Sequence, residues 1–175
     1  MAAVDPIVYA QLCKYFPALT PKQATNVCFY SIGANNQDIS SLLEIAPVTV
    51  KKSLESVQKH FNTDSLPELK TVFWAGFTFR QICAKYSINC DELFTSLRTE
   101  ALISLKPFFP ELNKNQMLGA ILYSVGFPAA EIAVKGRFSV AQIEQLLAEA
   151  MTAMGVASEI LLRVLITSRF ILDLC

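Results

Sequence analysis

The side chains able to do chemistry in this chain are few, and their spacing favours charge over catalysis. Lys51, Lys52 and Lys59 fall within one short stretch that holds a single acid, Glu55. Such a locally basic stretch attracts phosphate groups. The one histidine, His60, stands between Lys59 and Phe61 with no acid and nucleophile pattern around it to make a triad, and reads as a surface or boundary residue. No glycine-rich phosphate loop, paired catalytic carboxylates or metal-binding helix motif occurs, so neither an enzyme nor a cofactor is expected. Five cysteines, Cys13, Cys28, Cys83, Cys90 and Cys175, are odd in number, widely spaced and mostly set among apolar residues, as expected of reduced thiols packed in helices. Cys83 and Cys90 have no partnering histidine and fit no usual zinc spacing, so no metal is expected, and Cys175 reads as a tail residue.

The composition bounds where such a stretch can act. With 175 residues and 53% hydrophobic content the chain is long enough to bury a core, and disorder is not expected. Fifteen basic residues balance fifteen acidic ones, so no global field draws the protein to nucleic acid or to an anionic membrane, and any basic patch is local. Residues 156–174 are the most apolar, but Glu159, Arg163, Arg169 and Asp173 interrupt them too often for a spanning helix, and no membrane partner is expected. Met1 to Pro6 lack the basic region and apolar run of a secretory signal, which makes the cytoplasm the expected location.

The elements that must position the lysines read as helices. Thr20 and Pro21 form a cap and first position for a helix running to about Ile32, where Gly33 ends it. Asn35 or Asn36 caps a second helix through about Leu43, with Ile39, Leu42 and Leu43 on one face. Glu44, Ile45 and Ala46 make a turn, Pro47 starts the next helix, and Val50, Leu54, Val57 and Phe61 form its apolar stripe. The opposite face, with the lysines, is left for a partner. No sustained alternation bounded by hairpin turns appears, so the fold class is all-α.

The chain also repeats itself. Residues 15–78 match residues 108–171 without a gap at a shift of 93, with Phe16, Pro17, Leu19, Gln23, Tyr30, Ser31 and Gly33 meeting Phe109, Pro110, Leu112, Gln116, Tyr123, Ser124 and Gly126. A weaker echo at a shift of 43 pairs Gly33, Ile39, Ile45, Val50 and Leu54 with Gly76, Ile82, Ile88, Leu93 and Leu97. Pro107 and Pro110, with Phe108 and Phe109 between them, mark a junction where the second copy begins. The expected layout is a first domain over 1–70, a middle bihelical unit over 71–106 and a second copy over 107–175.

Leu19 to Lys70 resembles the DNA-binding domain of LuxR (GerE)-type regulators. Leu19-Thr20-Pro21-Lys22-Gln23 stands where that family has Leu-Thr-Pro-Arg-Glu, Gly33 to Ile39 stands at its Gly-to-Ile run, and Thr49-Val50-Lys51 matches its Thr-Val-Lys. The resemblance implies a tetrahelical helix-turn-helix domain of a bacterial transcription regulator, with the helix near 47–61 in the major groove of double-stranded DNA. It places Thr49, Lys51, Lys52, Ser53 and Ser56 on the groove face, and Lys22, Asn36 and Lys59 nearer backbone phosphates. The chain departs from the pattern at Gln23, which replaces an acid, at Ala46, which replaces a capping serine, at Ser53, where histidine is frequent, and at His60-Phe61, which replace Lys-Leu.

The second copy reads as degenerate, because its corresponding helix, Ser139 to Met154, holds Glu144 and Glu149 and no base. The middle segment offers Asp91, Glu92 and Glu100 against Arg98. Two functions follow: a sequence-specific DNA-binding regulator, or a helix-turn-helix-shaped interaction protein that activates or blocks another regulator without touching DNA. A homodimer or another regulatory protein is the expected partner, covering either the stretch Val72 to Phe79 or its counterpart near Leu165 to Leu172.

Overall fold

A computed structural model describes residues 12–96 and 99–175; Met1 to Pro6, Leu97 and Arg98 lie outside the described residues. Among the described residues all regular structure is helical. After a helical stretch over 12–15 come α1 Pro21–Ser31, α2 Asn36–Leu43, α3 Pro47–His60, α4 Leu66–Lys85, α5 Cys90–Ser96, α6 Lys114–Ser124, α7 Ala129–Gly136, α8 Val140–Met154 and α9 Glu159–Leu174, with a 3-10 segment at Thr99–Phe108. No single helix among them is long and apolar enough to cross a membrane. The chain divides into two compact units between Trp74 and Ala75, so α4 gives its first half to one and its second half to the other.

In the first unit, caps fix the helix ends. Thr20 Oγ1 accepts the Gln23 N–H at 3.3 Å while Gln23 Oε1 accepts the Thr20 N–H at 2.9 Å. Asn35 Oδ1 accepts from Gln37 and Asp38, and Asp38 Oδ2 accepts the Asn35 N–H. Each reciprocal pair satisfies donors that a helix N-terminus otherwise leaves orphaned. Val50, Leu54 and Val57 are fully buried, as their spacing predicts, and meet a core that includes Val27, Ile39 and Leu69. Phe61 closes this stripe from a half-buried position, edge-on to Phe16, which stacks on Phe73 at 4.9 Å. Only Ile39 of the apolar face expected in α2 is fully buried; Leu42 is 55% exposed, because eight residues turn a single position squarely into the core.

Between α2 and α3 the chain reverses through Glu44 in the left-handed region, φ 54°. The Ile45 N–H returns to Ser40 O at 3.2 Å, and Ser40 Oγ donates to Ile45 O at 2.6 Å.

The second unit is built in the same order after its opening segment. Pro21, Asn36, Pro47 and Leu66 begin helices, and so do Lys114, Ala129, Val140 and Glu159, each 93 residues further on. Arg137, at Glu44 plus that shift, is also left-handed, and the Phe138 N–H returns to Ala133 O at 2.9 Å. Lys70 stands over the Tyr30 ring at 4.5 Å, and Arg163 over the Tyr123 ring at 4.3 Å. The core of the unit centres on Phe170, with Phe79 and Phe109 both at 5.6 Å.

α4 runs unbroken through Gly76, which does not end a helix as Gly33 does at φ 119°. A turn of the same kind follows nonetheless, with Ser87 at φ 55° and the Ile88 N–H on Cys83 O at 2.8 Å. Beyond α5 the 3-10 segment buries Leu102 and Leu105, one turn apart at three residues per turn. Phe109, at the expected junction, is fully buried in the core of the second unit. Val72, Phe73, Ala75 and Phe79 are likewise buried within the chain, while Trp74 and Phe77 of the same stretch are half-buried. In its counterpart Ile166 and Phe170 are buried and Leu172 is 74% exposed.

Candidate nucleic-acid interface

The inner stripe of α3 fixes which side chains face outward. With Val50, Leu54 and Val57 buried, a helix of 3.6 residues per turn turns Thr49, Lys51, Lys52, Ser56 and Lys59 away from the core, and all five are exposed. Lys22 is exposed at the second residue of α1, and Asn36 is half-buried at the first residue of α2. Ser53 belongs elsewhere: its Oγ is shut off from solvent and has no hydrogen-bond partner, so its hydroxyl does not sit on the outward face.

Gln23 explains how α1 is held against this face. Its Oε1 serves the cap of α1, while its Nε2 donates to Ser56 Oγ at 3.0 Å. The amide serves both at once, its oxygen accepting at the cap and its nitrogen donating to Ser56, which ties the two helices together. The sequence flagged the exchange without showing its use, because the acceptor lies 33 residues away.

The charge of the face is basic but moderated. Lys51 Nζ lies 3.9 Å from Glu55 Oε1, with side chains 67% and 50% exposed. At that exposure the attraction is screened and weak. Among the described residues Lys51 is the one lysine of this face that lies within reach of a carboxylate. The start of α3 is the least secured point: Ala46 gives no side-chain cap, and Pro47 stands at the first helical position. The Thr49 N–H instead turns back to Ala46 O at 2.8 Å.

The matching face of the second unit keeps the shape and changes the chemistry. Ser139 Oγ accepts the Gln142 N–H at 3.1 Å, supplying the cap that Ala46 lacks. Gln116 Nε2 donates to Glu149 Oε2 at 3.0 Å, where the first unit has Gln23 on Ser56. Asn115, Gln142, Gln145 and Glu149, with Phe138 and Leu146, line an open cavity of about 190 Å³. Hydrogen bonds from Gln116 and Gln145 hold the Glu149 carboxyl below its ordinary range, so this face carries fixed negative charge at neutral pH.

His60 is exposed, its ring edge-on to that of Phe61 at 4.9 Å. Compared with family models, with curated proteins and with solved structures, the chain matches none.

Proposed function

We propose that the first unit is a helix-turn-helix module of the LuxR type that binds duplex DNA, and that the chain is a transcription regulator reading the major groove with α3. The observation that carries this reading is the division of α3 into a fully buried inner stripe and an outer face bearing Lys51, Lys52 and Lys59. Lysines at such a face bind phosphate in any sequence, and Thr49 and Ser56 supply hydrogen-bonding groups for position and base edges. Lys22 extends the basic surface from α1. The recurrence of helix starts, left-handed turns and cation-ring pairs at one constant shift supports the inference that the two halves are copies of one ancestral unit.

The second copy favours another role. Its corresponding helix presents Gln142, Glu144, Gln145 and Glu149, and phosphates repel that face. A protein partner, either another regulator or a second copy of the chain, suits it better, with the first unit holding DNA.

Binding of the purified chain to its own upstream DNA and to random duplex, measured across a salt series beside Lys51→Glu and Lys52→Glu, tests the proposal. Binding that weakens with salt and is lost in both variants supports it. Absence of binding to any duplex by a folded chain removes it.

A further inference from the structure

Two thiols outside the proposed interface meet across the middle turn. Cys83 lies in the last turn of α4, Ser87 reverses the chain in the left-handed region, the Ile88 N–H returns to Cys83 O, and Cys90 opens α5. This reversal sets Cys83, in the last turn of one helix, beside Cys90, the first residue of the next, close enough for each thiol to shift the other's titration. The equivalent positions of the other two turns are Ser40 with Pro47 and Ala133 with Val140, so the thiol pair is particular to this turn.

The pair is asymmetric. Cys83 is 2% exposed, whereas Cys90 is half-buried and reaches solvent. Arg80 lies one turn before Cys83, with its guanidinium over the Phe94 ring at 5.2 Å and 3.7 Å from Asp91. The neighbouring Cys83 and the charge of Arg80 hold the Cys90 thiol below its ordinary range, while the neighbouring Cys90 and burial push Cys83 up. One sulfur is therefore placed to attack a solvent-borne oxidant and the other to follow from the interior.

We propose that Cys83 and Cys90 are an oxidant-responsive site that forms a reversible disulfide with hydroperoxide as its substrate. The Cys90 thiolate attacks the peroxide, its sulfur–oxygen bond forming as the O–O bond breaks, and the departing oxygen leaves as water after protonation. The Cys83 sulfur then attacks the Cys90 sulfenic acid; the S–S bond forms, the S–O bond breaks, and the hydroxyl leaves as a second water with the Cys83 proton. Two thiols give up two electrons and two protons, and one hydrogen peroxide becomes two waters. A dithiol reductant reverses the bond by exchange. The disulfide joins the end of α4 to the start of α5 and so locks the middle turn.

The reduced, folded chain is treated with one equivalent of hydrogen peroxide, its remaining thiols are blocked with N-ethylmaleimide, and peptides are mapped by mass spectrometry. A linked Cys83–Cys90 peptide that reverts with dithiothreitol is expected. In Cys83→Ser the reaction stops at a sulfenic acid on Cys90, which dimedone captures, while the parent accumulates little dimedone adduct. Blocked Cys83 and Cys90 thiols after oxidant treatment of the parent overturn the proposal, as does a bond joining any other pair. Equal uptake of dimedone by the parent and by Cys83→Ser overturns it as well.

Discussion

Glu55→Gln isolates the electrostatic part of the proposed DNA interface. Glu55 is the only acid of α3, exposed on the same surface as the lysines, and its carboxylate lies 3.9 Å from Lys51 Nζ. Two unit charges about 4 Å apart in water interact by about 1 kcal/mol, and exposed pairs retain about 0–1 kcal/mol. Neutralising Glu55 releases Lys51 for phosphate and removes a negative charge from the binding face. Affinity for a random duplex should therefore rise by up to about fivefold at low salt, the equivalent of about 1 kcal/mol. If Lys51 then makes a full phosphate contact, the slope of log affinity against log salt steepens by up to about 0.9. The cost to stability is small, because an exposed i,i+4 pair contributes about 0.2–0.5 kcal/mol to its helix. Fluorescence anisotropy of a labelled duplex at several salt concentrations reads both quantities, with thermal unfolding as the control. Unchanged or weaker binding in Glu55→Gln, alongside loss of binding in Lys52→Glu, would refute the view that the face acts through its summed charge.

The same geometry sets three further outcomes. Ala46→Ser gives α3 its missing cap and should raise stability in urea unfolding by about 0.5–1 kcal/mol, toward the lower end of capping effects because the Thr49 N–H already has the Ala46 carbonyl; a loss of stability would show that the turn geometry excludes the cap. Ser53→Ala removes a hydroxyl that is buried without a partner, so stability should hold or rise and DNA affinity should stay within about twofold; a marked loss of affinity would return Ser53 to the interface. Cys90 should be alkylated by iodoacetamide at a lower pH than Cys28, because its thiol is held down by Cys83 and Arg80 while burial raises that of Cys28; the reverse order in a peptide-resolved pH series would contradict that environment.

The local signals proved the most legible. Thr20 with Pro21, the Asn35-Asn36 pair and Pro47 marked helix starts because capping acts over a few residues, and the 3.6-residue period of Val50, Leu54 and Val57 marked the buried side of α3. Where side chains from distant segments decide, the sequence was less informative. Gly76, aligned with Gly33 in the weaker echo, lies inside α4, beside the buried Ala75 and one turn before the buried Phe79, where packing outweighs a propensity cost of about 1 kcal/mol. The resemblance places Ser53 on the groove face, but one position of rotation closes its hydroxyl against the interior. The meeting of Cys83 with Cys90 depends on the left-handed turn at Ser87, a conformation that the serine itself does not announce.

The single tryptophan turns the division of the chain into something observable. Trp74 is the last residue of the first unit, with its indole Nε1 donating to Ser31 O at 3.1 Å and its ring edge-on to Phe73. Its emission therefore follows the environment of the first unit, whereas far-ultraviolet circular dichroism sums the helices of both. Superimposed denaturation curves from the two signals would mark one cooperative transition, and separated midpoints would give each unit a stability of its own.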